Sequence, residues 1–396
     1  MLYKSNTYQL KPEINLLVDQ ALEIGIDTFI YQNKTRLGAL VNFVADQAQL
    51  RDGLNKKCPL LAQAGGFANK RSLEQASSET TAELKTQLFT GIHSMLSLCS
   101  GLGIDDIAFA RNGCHVTAID ANETLNTLFD YNAKQLGVTT VQRITDTAEN
   151  YCLKQPNAHF DLIYLDPDRR SDEKRQILLS EHSPNVVEMQ EYLFKLSSKI
   201  LIKCSPMYDH AMAIKELKNI AHFYSISVGN EMKELLIELQ KDYTAVPQMT
   251  CIDVQKNNTL TKRFDGQSAS FPLEKKMGNY FIETATCINK LRQQSNYAAS
   301  EAWYSIQPIF GWFSSDNSPE NAMGRVFHII HDMPFNPRAC KSYLNSKGID
   351  KANVKTRGLK FNTQETYLKL NLKEGGADYL FITEWQGKAH LIHAQY

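Results

Sequence analysis

The sequence predicts an α/β protein in which a helical segment precedes a parallel-sheet domain and a smaller α/β unit follows. An apolar run, Ser94–Leu98, leads through a glycine-containing turn into the helical pattern of Asp106–Arg111. Two later apolar runs each end in an aspartate, and the segment before Ser94 carries apolar residues at helical spacing. Strand, glycine turn and helix in this order are typical of nucleotide-binding domains.

The turn contains Gly101 and Gly103, which tolerate backbone conformations that other residues avoid and let the main chain approach a ligand. The helix after the turn offers free N–H groups beside it. We therefore expect Ser97, Cys99, Gly101 and Gly103 to contact a cofactor. A Gly-x-Gly pair also occurs in ordinary strand-to-helix turns, so the ligand interpretation depends on the residues beyond this helix.

Two acids stand at informative positions further along the chain. Asp120 ends the strand pattern His115–Ile119, seventeen residues after Gly103, where a carboxylate can accept both hydroxyls of a ribose. Asp146 comes after the short strand Val141–Ile144, and its side chain could accept the amino group of an adenine.

A third acid comes after the apolar strand Phe160–Leu165, at the start of the run Asp166–Arg170. This order of strands and acids resembles the class I S-adenosylmethionine-dependent methyltransferases. A dehydrogenase would have a third glycine in Gly-x-Gly-x-x-Gly, where this chain has Asp106. The resemblance implies a Rossmann-like core that binds S-adenosylmethionine, with Asp166 also close to the cofactor.

The patterns divide the 396-residue chain into four segments. Residues 1–90 read as an N-terminal helical domain, and residues 91–254 as the methyltransferase domain. A polar interval opens the segment 255–320, which we expect to be a linker and connecting segment. Residues 321–396 alternate strand and helix patterns and predict a small α/β domain.

Composition limits the function classes. Lys and Arg total 43, and Asp and Glu total 43, so nucleic-acid binding would need local basic patches. The eight cysteines form no C-x-x-C pair, which argues for reduced thiols and against a zinc site. The first residues lack a signal-peptide pattern and no apolar run is long enough for a membrane span, so we expect a cytoplasmic protein without a metal.

Further motifs make the resemblance more specific. The motifs are Ser72–Ala82, Asp166–Arg170, Lys203–Asp209, Asn230–Leu236, Tyr280–Glu283 and Gly324–Phe327. Together they resemble the bacterial class I methyltransferases that carry a C-terminal THUMP-like domain. That resemblance implies a methyltransferase fused to an RNA-binding module, with tRNA or rRNA as the partner.

The chain departs from this family pattern at two positions. Ser97 stands where an acid usually precedes the glycine loop, so a contact to the methionine amino group of the cofactor would be weaker or supplied elsewhere. Cys204 stands where the strand-five motif usually has another residue.

The run Asp166–Arg170 also predicts the chemistry. In amino-methyltransferases of nucleic acids, the carboxylate of an Asp-Pro motif accepts a hydrogen bond from the amine that is methylated. We therefore predict Asp166, Pro167, Arg169 and Arg170 as catalytic, with the two guanidinium groups holding a phosphate or carboxylate of the substrate. Alternatively, the arginines form ion pairs that order their own loop.

Basic residues are in excess near the C-terminal end. Residues 320–396 contain eleven Lys and Arg against seven Asp and Glu. Lys351, Lys355, Arg357 and Lys360 lie within ten residues of the chain, and they face either RNA phosphates or solvent along a strand edge. The predicted substrate-binding residues are Lys203, Lys351, Lys355, Arg357 and Lys360.

Methylation of RNA at a base nitrogen is thus the function that the sequence favours. One alternative is a uridine C5-methyltransferase, in which Cys204 would add to the pyrimidine ring before methyl transfer. The other is a catalytically degenerate protein that binds S-adenosylmethionine or RNA without turnover. The sequence leaves open the RNA, the base, the atom and the oligomeric state.

Overall fold

The computed structural model describes residues 10–169, 178–266 and 273–396. The chain forms two compact units. The first unit comprises Met1–Cys204, Ala211–Ile220 and Leu236–Thr244, and the second comprises Ser205–His210, Ala221–Leu235 and Ala245–Tyr396.

Helices come first in the chain, as the apolar spacing predicts, and strands and helices then alternate. The helices are α1 (Ile14–Ile24), α2 (Ile26–Leu37), α3 (Leu40–Lys57), α4 (Pro59–Gln63), α5 (Lys70–Gln75), α6 (Glu79–Leu88), α7 (Ile104–Arg111), α8 (Glu123–Gln135), α9 (Ala148–Lys154), α10 (Val186–Leu196) and α11 (His210–Glu216). The strands are β1 (Ser94–Leu98), β2 (His115–Asp120), β3 (Val141–Thr145), β4 (Leu162–Leu165), β5 (Asp168–Arg169), β6 (His182–Ser183) and β7 (Lys199–Cys204).

Five strands of the sheet in the first unit lie in the order β7-β4-β1-β2-β3, and each neighbouring pair among these five is parallel. The central strands are almost fully buried, as expected for a parallel sheet covered on both faces. Chain order reverses at β1, because β2 and β3 lie on one side of it and β4 and β7 on the other. Ligands of open α/β sheets bind beyond the carboxyl ends of the strands at such a switch point.

The N-terminal helices of the first unit form an apolar cluster with α8. Val18, Phe29 and Val44 are fully buried in it. The ring of Phe67 stacks on Tyr131 with centroids 4.9 Å apart. Asn132 of α8 bonds both the N–H and the carbonyl of Phe67, at 2.9 and 2.8 Å. The helical segment is therefore part of the packed core beside the sheet.

The second unit contains more strands than the sequence predicts. The segment 255–320, expected as a linker, includes strands within its described residues. The first of them alternates partly buried and exposed residues at the edge of a sheet, which hides it from a pattern search. The strands are β8 (Ile220–Val228), β9 (Glu231–Gln240, which continues into the first unit), β10 (Gln248–Val254), β11 (Thr259–Phe264), β12 (Tyr280–Thr284), β13 (Tyr304–Gln307), β14 (Trp312–Ser315), β15 (Gly324–Pro334), β16 (Lys351–Thr356), β17 (Lys373–Trp385) and β18 (Lys388–Gln395), and the helices are α12 (Thr286–Lys290), α13 (Gln294–Ser300), α14 (Pro337–Ser346) and α15 (Thr363–Leu370).

A seven-stranded sheet dominates the second unit, in the order β13-β14-β12-β15-β18-β17-β16. Its pairs are antiparallel except for the parallel pair β16–β17. One face carries an aromatic cluster around Phe281, Phe327 and Phe381. The other face packs against α14 and α15. Residues 280–315 thus share one sheet with the predicted C-terminal α/β domain.

In the described part of the chain, no helix combines the length and the apolar character that a bilayer crossing requires. The eight cysteines all lie within the described residues; they form no disulfide bond, and seven of them are buried.

Gly103 provides a test of the fold at the start of α7. Its φ is +77°, and a Cβ there would overlap the Phe129 ring. Gly113 has φ +88° and open space around it. We expect Gly113→Ala to lower the free energy of unfolding by about 1 kcal/mol, through backbone strain alone. Gly103→Ala should lower it by about 1–3 kcal/mol more, because its Cβ would also overlap the Phe129 ring. Urea unfolding of both variants checks this difference, which equal losses would contradict.

Candidate functional site

The register of the sheet brings three strand ends to one level. Leu98, the last residue of β1, pairs with Ile119 of β2 and with Leu165 of β4. The next residue along each chain segment is therefore at the same edge: Cys99 after β1, Asp120 at the end of β2 and Asp166 after β4. This edge is the candidate functional site.

The loop between β1 and α7 has an unusual backbone. Cys99, Gly101 and Gly103 have φ values of 59°, 57° and 77°, so every second residue is in the left-handed region. Cys99 adopts this conformation despite its side chain, whose thiol donates to the Ser183 carbonyl at 3.7 Å. Open space surrounds the Cβ position of Gly101. A ligand could therefore approach the main chain closely there.

Asp120 is fixed against this loop. One carboxylate oxygen accepts the N–H of Gly101 at 2.7 Å, and the other accepts the N–H of Asn122 at 2.9 Å. The predicted ribose-binding carboxylate is thus oriented at the end of β2, beside the glycine loop.

Asp146 lies one residue beyond β3. It accepts the ammonium of Lys154 at 2.7 Å and the N–H of Thr147 at 2.9 Å. The Lys154 hydrogen bond is the main reason that the pKa of Asp146 is below its ordinary value. Because Lys154 is itself two-thirds exposed, its contact with Asp146 is open to solvent and exchangeable.

Asp166 and Lys203 form an ion pair at the ends of adjacent strands. Lys203 Nζ lies 2.5 Å from Asp166 Oδ2, and the lysine side chain is 10% exposed. Loss of solvation raises the pKa of Asp166 above its ordinary value, although Lys203 opposes this. Lys203 was predicted to bind substrate, but here its charge holds the predicted catalytic carboxylate.

The remaining predicted catalytic residues are described only in part. Pro167 is buried after Asp166. Arg169 belongs to β5, which pairs with β6. Arg170 lies outside the described residues.

A buried charge cluster lies beneath the loop, and it was not predicted from the sequence. Lys85 of α6 is fully buried, and its ammonium lies 2.7 Å from Asp105 of α7. Ser77 accepts from Lys85 and donates to Asp105, and Tyr164 of β4 also donates to Asp105 at 2.8 Å. Burial acts to raise the pKa of Asp105, but Lys85 and Lys203 outweigh it and hold that pKa low. Ser77 lies within the Ser72–Ala82 motif, and this motif was the sequence feature that could have pointed to the cluster.

Arg143 of β3 is a second residue that sequence reasoning missed. Its guanidinium donates to Gly101 O and to Asn126 Oδ1, both at 2.6 Å, and also to Ser100 Oγ. It faces the Phe129 ring at 4.6 Å. A lone arginine in a short strand gives no sequence signal for this role.

Only some of the residues in the predicted basic patch of the second unit are exposed to solvent. Lys351, Arg357 and Lys360 are exposed. Lys355 instead donates to both carboxylate oxygens of Glu283, at 2.7 and 2.9 Å. The charge of Lys355 is thus already paired with Glu283 of β12, so Lys355 is less accessible to phosphates than the other three residues.

Glu283 also pairs with Arg325 of β15, so it joins two cations. Burial acts to raise its pKa, but Lys355 and Arg325 together lower it below the ordinary value. No group of three or more His, Cys, Asp or Glu side chains is placed to hold a metal ion within residues 10–169, 178–266 and 273–396.

Comparison with known proteins agrees with this architecture. The structure matches the crystal structure of a "putative methyltransferase" from Porphyromonas gingivalis W83 with a TM-score of 0.85 and 22% identity, over 100% of this chain and 99% of that one. Residues 324–395 match the family model described as THUMP domain-like. No curated protein is significantly similar in sequence.

Weaker structural similarities cover half of the chain or less. An O-methyltransferase from Bacillus cereus in complex with SAH matches with a TM-score of 0.34 and 15% identity, over 50% of this chain and 99% of that one. A Pyrococcus abyssi tRNA (uracil-54, C5)-methyltransferase in complex with S-adenosyl-L-homocysteine matches at 0.31 and 18%, over 44% and 40%.

The fold and the C-terminal match define the class of the protein. It has the fold of a class I methyltransferase, preceded by helices and followed by a THUMP-like region. The predicted fold class and the predicted resemblance are thereby confirmed.

Glu283 provides a test with a defined pH dependence. Because its pKa is lowered on folding, its ionic contribution to stability is present above the unfolded pKa and lost as the pH falls through the folded pKa. We expect Glu283→Gln to lower the free energy of unfolding by about 3 kcal/mol near pH 7. The difference from wild type should shrink below about pH 4.5.

Chemical unfolding across this pH range measures the effect. Glu384→Gln, at an exposed carboxylate of β17, is the matched control and should follow the wild type. A Glu283→Gln variant as stable as the wild type at pH 7 would contradict the buried ion-pair role.

Proposed function

We propose that this protein is an S-adenosylmethionine-dependent methyltransferase that acts on RNA, at a nitrogen of a base. The observation that carries the proposal is the shared level of the glycine loop, Asp120 and Asp166 at the switch point of the sheet. The match to the P. gingivalis structure over the whole chain supports the same class.

The residues at this edge fit the proposed cofactor. The open space at Gly101 admits close approach to the main chain, and α7 begins directly after the loop. The fixed Asp120 carboxylate would accept the ribose hydroxyls, and Asp146 would exchange Lys154 for the adenine amino group. Ser97 lies within β1, and Cys99 is the first residue of the loop. When bound, S-adenosylmethionine supplies a methyl group already activated by the sulfonium.

Asp166 would orient the methyl acceptor. Its carboxylate is one-third exposed, while Lys203 fixes Oδ2 from the adjacent strand. An exocyclic amine of a base would donate an N–H to this carboxylate, which favours the tetrahedral nitrogen of the transition state. Pro167 fixes the chain after Asp166, and Arg169 and Arg170 would hold a phosphate of the same nucleotide.

RNA is the substrate class that the second unit favours. The THUMP-like match at residues 324–395 coincides with the local excess of basic residues. Lys351, Arg357 and Lys360 are exposed, so they could contact phosphates directly. Lys355, by contrast, would first have to leave its ion pair with Glu283. Because the whole chain has no net charge, such local contacts would carry the affinity.

Uridine C5-methylation by Cys204 is less favoured by the structure. Cys204 is 4% exposed at the end of β7, whereas a thiol that attacks a base must reach the substrate.

Turnover separates the two chemistries. We expect Asp166→Asn to lower methyl transfer by about 100-fold or more, because the neutral amide is a weaker acceptor for the amine. Cofactor affinity should change little. Cys204→Ser, the matched control, should remain active. The measurement is transfer of labelled methyl groups from S-adenosylmethionine to RNA from cells that lack the gene, with nucleoside mass spectrometry to identify the product.

An inactive Cys204→Ser protein that still binds the cofactor, together with 5-methyluridine as the product, would favour the C5 chemistry instead. Cofactor binding with no methylated product in RNA from those cells would favour the degenerate binding protein.

Salt dependence tests the RNA surface. Alanine at Lys351, Arg357 or Lys360 should each lower the slope of log K against log salt by about 0.7–0.9, because one phosphate contact is lost. Lys134→Ala, at an exposed lysine of α8, is the control and should leave the slope unchanged. Filter binding with tRNA and rRNA fragments measures it. Slopes equal to wild type in all three variants would place the RNA elsewhere.

A further inference from the structure

Lys203 lies between two other elements near the carboxyl end of β7. Its ammonium is 2.5 Å from Asp166 Oδ2 and 3.4 Å from the main-chain carbonyl of Gln75. Asp166 follows β4 directly, whereas Gln75 ends α5 and belongs to the Ser72–Ala82 motif. One largely buried lysine therefore joins the predicted catalytic carboxylate to the N-terminal helices.

Asp105 of α7 joins the same two elements at a second point. Its Oδ2 accepts the hydroxyl of Tyr164 and the hydroxyl of Ser77, each at 2.8 Å. Tyr164 belongs to β4, two residues before the predicted catalytic carboxylate, and Ser77 lies two residues after Gln75. Strand β4 and this N-terminal segment are thus connected twice, through Lys203 and through Asp105.

The charges around Asp166 alternate in sign. Among the described residues, the charged groups that act most strongly on it are Lys203 of β7, Asp105 of α7 and Lys85 of α6. Burial raises the pKa of Asp166, and Asp105 raises it further, whereas the two lysines lower it. Lys203 is the stronger of the two lysines, because it is in direct contact with the carboxylate. Without Lys203, Asp166 would keep its proton to higher pH.

Methyl transfer to a base nitrogen would need Asp166 in its ionised form. As the nitrogen lone pair forms the new N–C bond, the electron pair of the S–C bond returns to sulfur, and positive charge develops on the nitrogen. A carboxylate oxygen that accepts an N–H of this nitrogen stabilises the charge, and the proton then leaves to water. A protonated Asp166 would lose most of this effect.

We propose that Lys203 is a positioning residue of methyl transfer, which occupies Oδ2 of Asp166, keeps the carboxylate charged and leaves Oδ1 to accept an N–H of the base. The segment with Gln75 and Ser77 holds Lys203 in this place, so the N-terminal helices contribute to the candidate site. This inference rests on the proposed function, because it takes Asp166 as the residue that orients the methyl acceptor.

Lys203→Gln tests this role, because the amide keeps a donor and removes the charge. We expect kcat near pH 7 to fall about tenfold or more, with little change in KM for RNA. The acid limb of the kcat/KM profile should move up by about 1–3 pH units, since a contacting opposite charge lowers a carboxylate pKa by about that amount. Activity should therefore partly return at higher pH.

The measurement is transfer of labelled methyl groups to RNA from cells that lack the gene, across the pH range in which the protein stays folded. Far-UV circular dichroism verifies the folding of each variant. Lys203→Met removes both the charge and the donor, so it should shift the acid limb in the same direction and provides the test if Lys203→Gln fails to fold.

Two controls separate charge from shape. Lys203→Arg keeps the positive charge and should keep the acid limb at the wild-type pH. Lys199→Met, at the opposite end of β7, is the matched control and should follow the wild type in kcat, KM and pH profile.

The sequence predicted that Lys203 binds the substrate itself, and that role has a different kinetic signature. A rise confined to KM for RNA, with the acid limb unchanged, would mean direct substrate binding and would overturn the positioning role. Wild-type kcat and an unshifted acid limb in Lys203→Gln would overturn it as well. Wild-type protein that transfers no methyl group to RNA would overturn the proposed function and this inference with it.

Discussion

The contacts of Arg143 hold the glycine loop in the conformation that the candidate site needs. A loop with three left-handed residues is strained at Cys99, and such a backbone persists only where its surroundings fix it. Arg143 supplies that constraint, because its planar fork reaches Ser100, Gly101 and Asn126 at once. The loop in turn donates to Asp120, so the groups that face the candidate site are held in place by the protein itself.

Paired charges organise the rest of the site. Lys85 meets Asp105, Arg143 meets Asp106, and Lys203 meets Asp166, all near the carboxyl ends of the strands. Buried pairs of this kind contribute little net stability, but losing one partner is costly. Their effect here is geometric, because each pair joins a helix or strand to its neighbour. The second unit differs, since Glu283 joins two cations and Lys351, Arg357 and Lys360 remain exposed.

Local patterns predicted the parts of the fold that depend on chain neighbours. The strand β1, the glycine turn, α7 and the acids after β2 and β4 were located because apolar periodicity and turn chemistry are properties of adjacent residues. The strands within the segment 255–320, which was expected to be a linker and connecting segment, were not predicted. Its strand Thr259–Phe264 alternates between partly buried and exposed residues, and a polar edge strand resembles a loop in sequence.

The fold class, the order of strands and acids and the place of the glycine loop follow from the sequence alone, because apolar periodicity and turn residues are local properties of the chain. Which charges meet depends on the tertiary structure. Lys355 was predicted to face phosphates, yet Glu283 of β12, 72 residues away in the chain, is brought to it by the sheet. Likewise, Asp106 of α7 meets Arg143 of β3 only because the folded chain packs α7 against β2 and β3. The partners of such side chains depend on how strands and helices pack, and the spacing of residues along the chain does not predict that packing.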